Sequence, residues 1–190
     1  MRRLLTSTLL AVLGLALVAP AHAQSFRGGD PTRDVQRLTR DGDGDDYTAF
    51  PTRANPDITS ATVLHGRTSV VISVAFVDIF VAPGPRGVFS VFGDLRSDTL
   101  GASWDLWATQ RRRQGKVTIW RNGKRCEGSA TIDYSRDRAR VVLPRVCLGD
   151  PTWVSVSVTA WSQDHTFVWE DNAFQAGFLR TRWTPRLRAG

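Results

Sequence analysis

Hydrophobic and polar residues alternate in short runs from residue 57 to the end of the chain, and turn residues separate the runs. A period of two is typical of β-strands, because successive side chains of a strand point to opposite faces of the sheet. In the clearest run, residues 68–77, every second residue is strongly apolar: Val70, Ile72, Val74 and Phe76. Val71, Ala75 and Val77 make the other face apolar too, so this strand is predicted to be largely buried on both faces.

Similar runs predict a series of further short strands. They cover residues 58–65, 88–94, 102–109, 116–121, 125–133, 138–143, 152–161 and 178–183. Asn122-Gly123 separates two of these strands and is a favoured two-residue hairpin turn. Two short helical turns are predicted, one at residues 144–149, between a proline and a glycine, and one at 170–177. Since no long amphipathic helix is predicted, the pattern favours an all-β fold, a two-sheet antiparallel β-sandwich.

Residues 24–56 lack this periodicity and are rich in Gly, Asp, Arg and Pro. Such a composition is typical of an extended or flexible segment. The predicted organisation of the chain is therefore a flexible acidic lead at 24–56, followed by one β-sandwich domain at 57–190.

The first 23 residues have the pattern of a removable export signal. Two arginines precede an apolar run at 4–18, and the small residues Ala21 and Ala23 precede the predicted cleavage site. The apolar run is 15 residues long, whereas a membrane-spanning helix needs about 20. The mature protein is therefore predicted to start at Gln24, to contain no transmembrane segment, and to be secreted, either extracellular or associated with the cell envelope.

Arginine dominates the charge of the predicted mature chain. It keeps 23 basic residues, of which only Lys116 and Lys124 are lysines, against 18 acidic residues. A basic surface attracts anionic polymers, and for an exported protein the polymers of the cell envelope are nearest. Nucleic acid is not expected as a partner, because acidic residues interleave with the basic ones and no nucleic-acid-binding motif is present.

The predicted mature chain contains two cysteines, Cys126 and Cys147. A pair of cysteines in an exported chain is expected to form a disulfide. Closing the loop between them would stabilise the fold by about 3 kcal/mol in the chain-entropy model. Neither a metal site nor a catalytic thiol is indicated, since no histidine or further cysteine lies nearby in the sequence.

Three stretches of the chain resemble a group of secreted bacterial proteins. The stretches are Asp57-Ile58-Thr59 through Phe76-Val77-Asp78, then Pro144-Arg145-Val146-Cys147-Leu148-Gly149, and finally Asp171-Asn172-Ala173-Phe174 with Thr184-Pro185-Arg186. The domain of these proteins is similar to the DOMON and family-9 carbohydrate-binding-module sandwiches. The resemblance covers residues 57–190 and implies a jelly-roll-like β-sandwich with a ligand-binding role. Haem-binding members of the wider group use Met and His ligands, but Met1 is the only methionine of this chain, so no haem ligand is carried over.

Tryptophans are the candidate ligand-binding residues. The predicted mature chain holds all seven of them: Trp104, Trp107, Trp120, Trp153, Trp161, Trp169 and Trp183. Exposed aromatic rings bind sugars, because the C–H face of a pyranose packs on the ring while polar neighbours bind the hydroxyls. Trp120, next to Asn122 at the hairpin tip, is the first candidate, and Trp104 and Trp107 beside Asp105 are the second. The alternative for each tryptophan is a place in the core.

Asp41, Asp43 and Asp45 stand at positions 1, 3 and 5 of a calcium-loop pattern. Alternating carboxylates can converge on one hard cation. The segment departs from the EF-hand pattern where Asp46 replaces Gly and Thr52 replaces Glu, and no predicted helix flanks it. Two interpretations stay open, a Ca²⁺ site and a solvated acidic turn.

The sequence contains no Gly-x-Ser-x-Gly elbow, no His-Glu-x-x-His motif and no Gly-rich phosphate loop. Ser162, Asp164 and His165 could form a hydrolytic triad, and Asp164 with Glu170 or Asp171 a carboxylate pair, but nothing in the sequence supports either geometry. We therefore predict a non-catalytic binding module, with carbohydrate or a cell-envelope glycan as the first candidate ligand. The alternatives are a small secreted hydrolase that uses loop carboxylates or His165, and a surface protein-interaction domain.

Overall fold

The computed structural model describes residues 23–41, 44–176 and 181–190, and of residues 40, 41, 44 and 45 it describes the backbone alone. This part of the chain is almost entirely β-structure with one short helix. The strands are β1 (Gln24–Gly29), β2 (Gln36–Asp41), β3 (Gly44–Ala49), β4 (Ile58–His65), β5 (Ser69–Phe76), β6 (Val88–Ser97), β7 (Ala102–Thr109), β8 (Arg112–Arg121), β9 (Lys124–Asp133), β10 (Arg138–Pro144), β11 (Trp153–Val156), β12 (Thr159–Gln163), β13 (Val168–Asn172) and β14 (Leu187–Arg188), and the helix is α1 (Arg145–Leu148).

All strands except β11 and β14 follow one antiparallel path, in the order β1-β4-β5-β10-β9-β8-β7-β6-β12-β13-β2-β3. β11 pairs with β6 and with β14 beside this path. β9 pairs with β10 on one side and with β8 on the other, so it belongs to both halves of the path. The sheet curls at β9, and its two halves enclose a common core. The predicted all-β, antiparallel fold is therefore confirmed, with the two layers formed by one curled sheet.

The core is a single cluster of buried residues from both halves of the sheet. Ile72 on β5 is fully buried, and so are Leu106 on β7 and Ile119 on β8. The rings of Phe76 and Phe89 meet edge to face across the core, with their centroids 5.5 Å apart. Each such side chain contributes about 1.5–3 kcal/mol when it is buried, so the inward face of every long strand anchors it to the opposite half.

β5 was predicted to be largely buried on both faces, and the structure confirms this for one face only. Its alternate residues from Val70 to Phe76 are buried as expected. On the other face Val71 and Ala75 are only half-buried, and Val77, just after the strand, is 43% exposed. That face points away from the core, so its apolar residues are covered by neighbouring side chains of the sheet alone.

The hairpin turn and the first helical turn form where they were predicted. Asn122 (φ 49°) and Gly123 (φ 70°) connect β8 to β9 with left-handed backbone conformations, which the Asn-Gly pair tolerates. Gly149 ends α1 at φ 79°. The predicted disulfide joins Cys126 on β9 to Cys147 in α1, and it ties this helix to the sheet.

The segment 24–56 is not a lead-in to the domain, because three of the strands lie in it. β1 pairs along its whole length with β4, from Gln24↔His65 to Gly29↔Ser60. β2 pairs with β13 and with β3, and Val35 and Leu38 are buried. Strand pairing uses main-chain groups, so a mostly polar segment can join a sheet without hydrophobic alternation.

Three predictions near the C-terminus are wrong in detail. The predicted strand 152–161 is divided into β11 and β12, which pair with the same strand β6 in one continuous register, Val156↔Leu95 and Thr159↔Phe92, on either side of residues 157–158. The predicted helix at 170–177 is absent, since β13 occupies its first residues and Phe174 has a φ of 75°. Of the predicted strand 178–183, residues 178–180 lie outside the described residues, and residues 181–183 are not in a strand.

Candidate functional site

An open groove lies on the outer face of five adjacent strands, β13, β12, β6, β7 and β8. The strand register places Asn172, Thr159, Phe92 and Asp105 side by side across four of these strands. A parallel row one step further along the strands contains Asp94, Ser103 and Trp120. These residues, together with Trp161 and Ser157, line a cavity of about 440 Å³. We call this cavity the outer groove.

Exposed indole rings border the outer groove. Trp120 is 49% exposed, and the guanidinium of Arg125 lies 5.8 Å from the centre of its ring. Trp161 is half-buried and packs edge to face against Trp107, with 5.0 Å between the ring centroids. Trp107 itself is 40% exposed. The groove therefore offers aromatic surface on two sides.

Polar side chains on the floor of the groove are already oriented by hydrogen bonds. The hydroxyl of Ser90 donates to Oδ1 of Asp105 at 2.8 Å. Burial raises the pKa of Asp105, and this hydrogen bond opposes the rise. The hydroxyl of Thr159 donates to Oδ1 of Asn172. Carboxylate and amide groups held in this way are suited to bind ligand hydroxyls without further ordering.

A basic depression adjoins the groove on the far side of Trp107. It has a volume of about 340 Å³ and is lined by Trp107, Arg111, Arg112, Lys116 and Thr118. Thr118 pairs with Asp105 across β7 and β8, so the depression and the outer groove lie next to each other on the same sheet face. Trp107 thus borders this depression and touches the groove through Trp161.

Two of the predicted ligand-binding residues are not exposed in the groove. Trp104 touches its floor but is 2% exposed and belongs to the core. The reason is the alternation along β7, which turns Trp104 and Leu106 inward and Asp105 and Trp107 outward. Asn122 lies in the hairpin turn and does not line the groove.

Trp161, Thr159 and Asn172 line the groove, although none of the three was among the first two candidate ligand-binding sites, at Trp120 and at Trp104 with Trp107. For Trp161 and Thr159, the alternating pattern of the sequence indicated the same strand face. Trp161 continues the series Trp153, Ser155, Ser157 and Thr159, which alternates with valines along residues 152–161. The placement of Asn172 beside Thr159 depends on the pairing of β12 with β13, which the residue pattern alone does not indicate.

The structure does not assemble the candidate hydrolytic triad. Ser162 is fully buried, and its hydroxyl donates to the carbonyl oxygen of Asn55 at 3.1 Å. Oδ1 of Asp164 accepts hydrogen bonds from the N–H groups of Thr166 and Phe167, so this carboxylate closes its own turn. His165 is exposed and lies close to Gly84. The candidate carboxylate pairs do not form a site either, because Glu170 pairs with Trp161 and the buried Asp171 with Ala160 in β13, away from the turn that Asp164 closes.

Acidic residues were also predicted to bind Ca²⁺ at Asp41, Asp43 and Asp45. Asp43 lies outside the described residues, and the side chains of Asp41 and Asp45 are not described, so that site stays a prediction. Among the described residues, a different group of carboxylates comes together. Asp30, Asp34 and Asp171 each place an oxygen atom within 4.8 Å of the other two.

Comparisons with known proteins do not assign this chain to a family. Among the described residues, no helix has the length and apolar character that crossing a membrane requires. Searches of protein-family models, of curated proteins and of solved structures find no match to this chain.

Proposed function

We propose that this protein is an exported, non-catalytic binding module and that the outer groove binds a glycan. The observation that carries the proposal is the exposed ring of Trp120 beside the oriented carboxylate of Asp105. An exposed indole offers an apolar surface that packs against the C–H face of a pyranose. The neighbouring carboxylate and amide oxygens accept hydrogen bonds from the hydroxyls that point away from that face.

The dimensions of the site agree with this proposal. Its volume of about 440 Å³ lies within the range of small-ligand sites, roughly 300–1,000 Å³. The groove is open along a sheet face, and the basic depression continues it past Trp107. A polymer can therefore place one sugar on Trp120 and the next ones towards Arg111 and Arg112. This arrangement favours an acidic glycan of the cell envelope over a neutral one.

Export is supported by two independent features. Residues 1–23 have the sequence of a removable signal, and Cys126 and Cys147 form a disulfide, which persists in oxidising compartments. An envelope glycan would be within reach of such a protein.

The proposal is tested by titrating the purified chain with soluble acidic and neutral polysaccharides and with cell-wall fragments, and by following tryptophan fluorescence and binding heat. We expect saturable binding to an acidic glycan, which Trp120→Ala weakens at least about tenfold, equivalent to about 1.4 kcal/mol. Trp153→Ala is the matched control, because it removes another tryptophan that is partly accessible to solvent but lies outside the groove. Absence of binding across the panel, or equal affinity of Trp120→Ala, contradicts the proposal. Release of new reducing ends from a bound glycan would instead support a hydrolase.

A further inference from the structure

Four aspartates converge at one junction of the fold, away from the outer groove. Asp30 follows β1, Asp34 precedes β2, Asp57 precedes β4, and Asp171 lies in β13. Oxygen atoms of Asp30, Asp34 and Asp171 lie within 4.8 Å of one another. These three residues are called the aspartate cluster below.

Asp171 carries a buried carboxylate oxygen that lacks a partner. The residue is 0% exposed. Its Oδ2 accepts a hydrogen bond of 2.6 Å from the N–H of Ile58, whereas Oδ1 is buried without any hydrogen-bond partner among the described residues. An unpartnered buried acceptor is costly, and more so when it is charged. The atom therefore needs a proton or a cation.

Asp30, like Asp171, has one carboxylate oxygen that accepts a hydrogen bond and one that does not. Its Oδ1 accepts a hydrogen bond of 2.8 Å from the N–H of Gln175. Its Oδ2 is buried and has no hydrogen-bond partner in the described part of the chain. One oxygen of each carboxylate is thus used to fix its orientation, and the second is left for a ligand.

The turn after β13 is held in place by packing. Phe174 has a φ of 75° and packs edge to face against Phe26, with 5.4 Å between the ring centroids. The ring of Phe174 also occupies the space above Gly28, where a Cβ atom would lie only 2.4 Å from it. These contacts hold the N–H of Gln175 against Asp30, so β1 and β13 together shape the cluster.

Asp57 supports the loop that carries the cluster. It is 1% exposed, and its Oδ2 accepts a hydrogen bond of 2.8 Å from the N–H of Arg33, between Asp30 and Asp34. The carboxylate of Asp57 adds a further negative charge close to Asp30 and Asp171. A cation held by the cluster would therefore be attracted by four carboxylates.

We propose that Asp30, Asp34 and Asp171 bind one Ca²⁺ ion. The ligands are oxygen atoms alone, which suits a hard cation, whereas Zn²⁺, Cu²⁺ and Ni²⁺ favour the nitrogen and sulfur ligands that this cluster lacks. Ligand oxygens around Ca²⁺ lie about 2.3–2.6 Å from the ion and hence up to about 5 Å apart, in agreement with the spacing of the cluster. Mg²⁺ keeps several waters and uses one or two carboxylates, so it fits the buried position of Asp171 less well.

Electrostatics agree with the geometry. Burial, the largest cause, and repulsion between the carboxylates raise the pKa of Asp30 to about 8 and that of Asp171 to about 9. A bound dication removes this repulsion. Because the ligands come from β13 and from the connection between β1 and β2, the ion would fasten the N-terminal strands to the rest of the sheet, and its binding would contribute to folding stability.

Isothermal titration of the chelator-treated full chain with CaCl₂, and in parallel with MgCl₂, tests the proposal. We expect one Ca²⁺ site, weaker binding of Mg²⁺, and an increase in Tm of at least about 5 °C at saturating Ca²⁺. Asp34→Asn and Asp171→Asn should each weaken Ca²⁺ binding at least about tenfold, since the charge of the ligand set controls affinity. Asn keeps an oxygen that can accept the Ile58 bond, so Asp171→Asn should stay folded in chelator.

The matched control is the triple variant Asp41→Asn/Asp43→Asn/Asp45→Asn, which removes the other candidate Ca²⁺ ligands. It should bind Ca²⁺ like the wild type. The proposal is overturned if the wild type shows neither binding heat nor a change in Tm, or if the triple variant alone abolishes binding. The glycan titration is independent of this outcome, because none of the three aspartates lines the outer groove.

Discussion

The N–H of Ile58 donates a hydrogen bond of 2.6 Å to Oδ2 of Asp171, although the two residues are 113 positions apart in the sequence. Both residues are fully buried. The bond connects the start of β4 to β13 and so joins two strands that are not neighbours in the sheet. The carboxylate that accepts it is also the most buried member of the aspartate cluster.

Removal of this acceptor is expected to destabilise the fold. Asp171→Ala leaves the N–H of Ile58 buried without a partner, and we expect a loss of at least about 2 kcal/mol in the free energy of unfolding. Asp171→Asn keeps an acceptor and replaces a carboxyl group whose ionisation is disfavoured by burial and by repulsion from the other aspartates, so in the presence of chelator it should be at least as stable as the wild type. Urea unfolding of both variants in chelator measures the difference. Equal stability of Asp171→Ala and Asp171→Asn would show that the bond contributes little.

Adjacent glycines at the end of β1 provide a matched pair of substitutions. A Cβ on Gly28 would lie 2.4 Å from the ring of Phe174, whereas a Cβ on Gly29 would meet nothing within 4 Å. Gly28→Ala should therefore displace Phe174 and lower stability by about 1–3 kcal/mol. Gly29→Ala should be neutral or slightly stabilising, because alanine restricts the unfolded chain. Thermal unfolding of the two variants tests this, and similar values of Tm would contradict the packing of Phe174 against β1.

His65 should make the free energy of unfolding decrease as the pH falls below neutrality. It is fully buried, its Nδ1–H donates to the carbonyl oxygen of Leu187 at 2.9 Å, and its Nε2 has no partner among the described residues. Burial is the main cause that lowers its pKa, the nearby cation of Arg145 lowers it further, and Leu187 and Asp98 oppose the shift. The folded chain therefore keeps His65 neutral at a pH at which the unfolded chain already binds a proton.

The sign of the effect follows from this difference in proton binding. Stability is unaffected above the unfolded pKa of about 6.5 and falls as the pH decreases below it, by at most about 1.4 kcal/mol per pH unit. His65→Asn keeps a donor for Leu187 and cannot titrate, so its stability should depend less on pH between 7 and 5. Urea unfolding across this range, with the wild type in parallel, gives the comparison. Parallel pH profiles of the two proteins would be evidence against a neutral buried His65.

Local sequence patterns were sufficient to predict the strands and the turn whose conformation depends on residues close together in the sequence. β4 and β7 have the predicted bounds, 58–65 and 102–109, because each contributes an alternating face to the core. The Asn122-Gly123 turn was predictable because few residue pairs adopt its left-handed conformations. The exposure of Trp120 follows in the same way, since it alternates with buried residues of β8.

Features that depend on distant pairing could not be predicted. β1, β2 and β3 are mostly polar, and main-chain hydrogen bonds to β4 and β13 hold them in the sheet. The aspartate cluster combines residues 30, 34 and 171, so it has no characteristic spacing, while the regular acidic motif at residues 41–45 attracted the prediction instead. Likewise, Asn172 reaches the outer groove only through the pairing of β13 with β12.

The position of β1 at one end of the strand path, and of β2 with β3 at the other, has a consequence for the order of folding. Only residues 30–35 connect these strands, yet β1 needs β4 as its partner and β2 needs β13. The bond between Asp30 and Gln175 spans 145 positions. During synthesis, β1 can pair once β4 has been made, whereas β2 and β3 must wait for β13 and thus for almost the whole chain, and long-range pairing of this kind is slow. Until then the β13 edge of the nascent sheet stays uncovered, and unpaired edges favour association with other chains. The docking of β2 and β3, two strands that are made early and pair late, is thus also the step that covers this edge against aggregation.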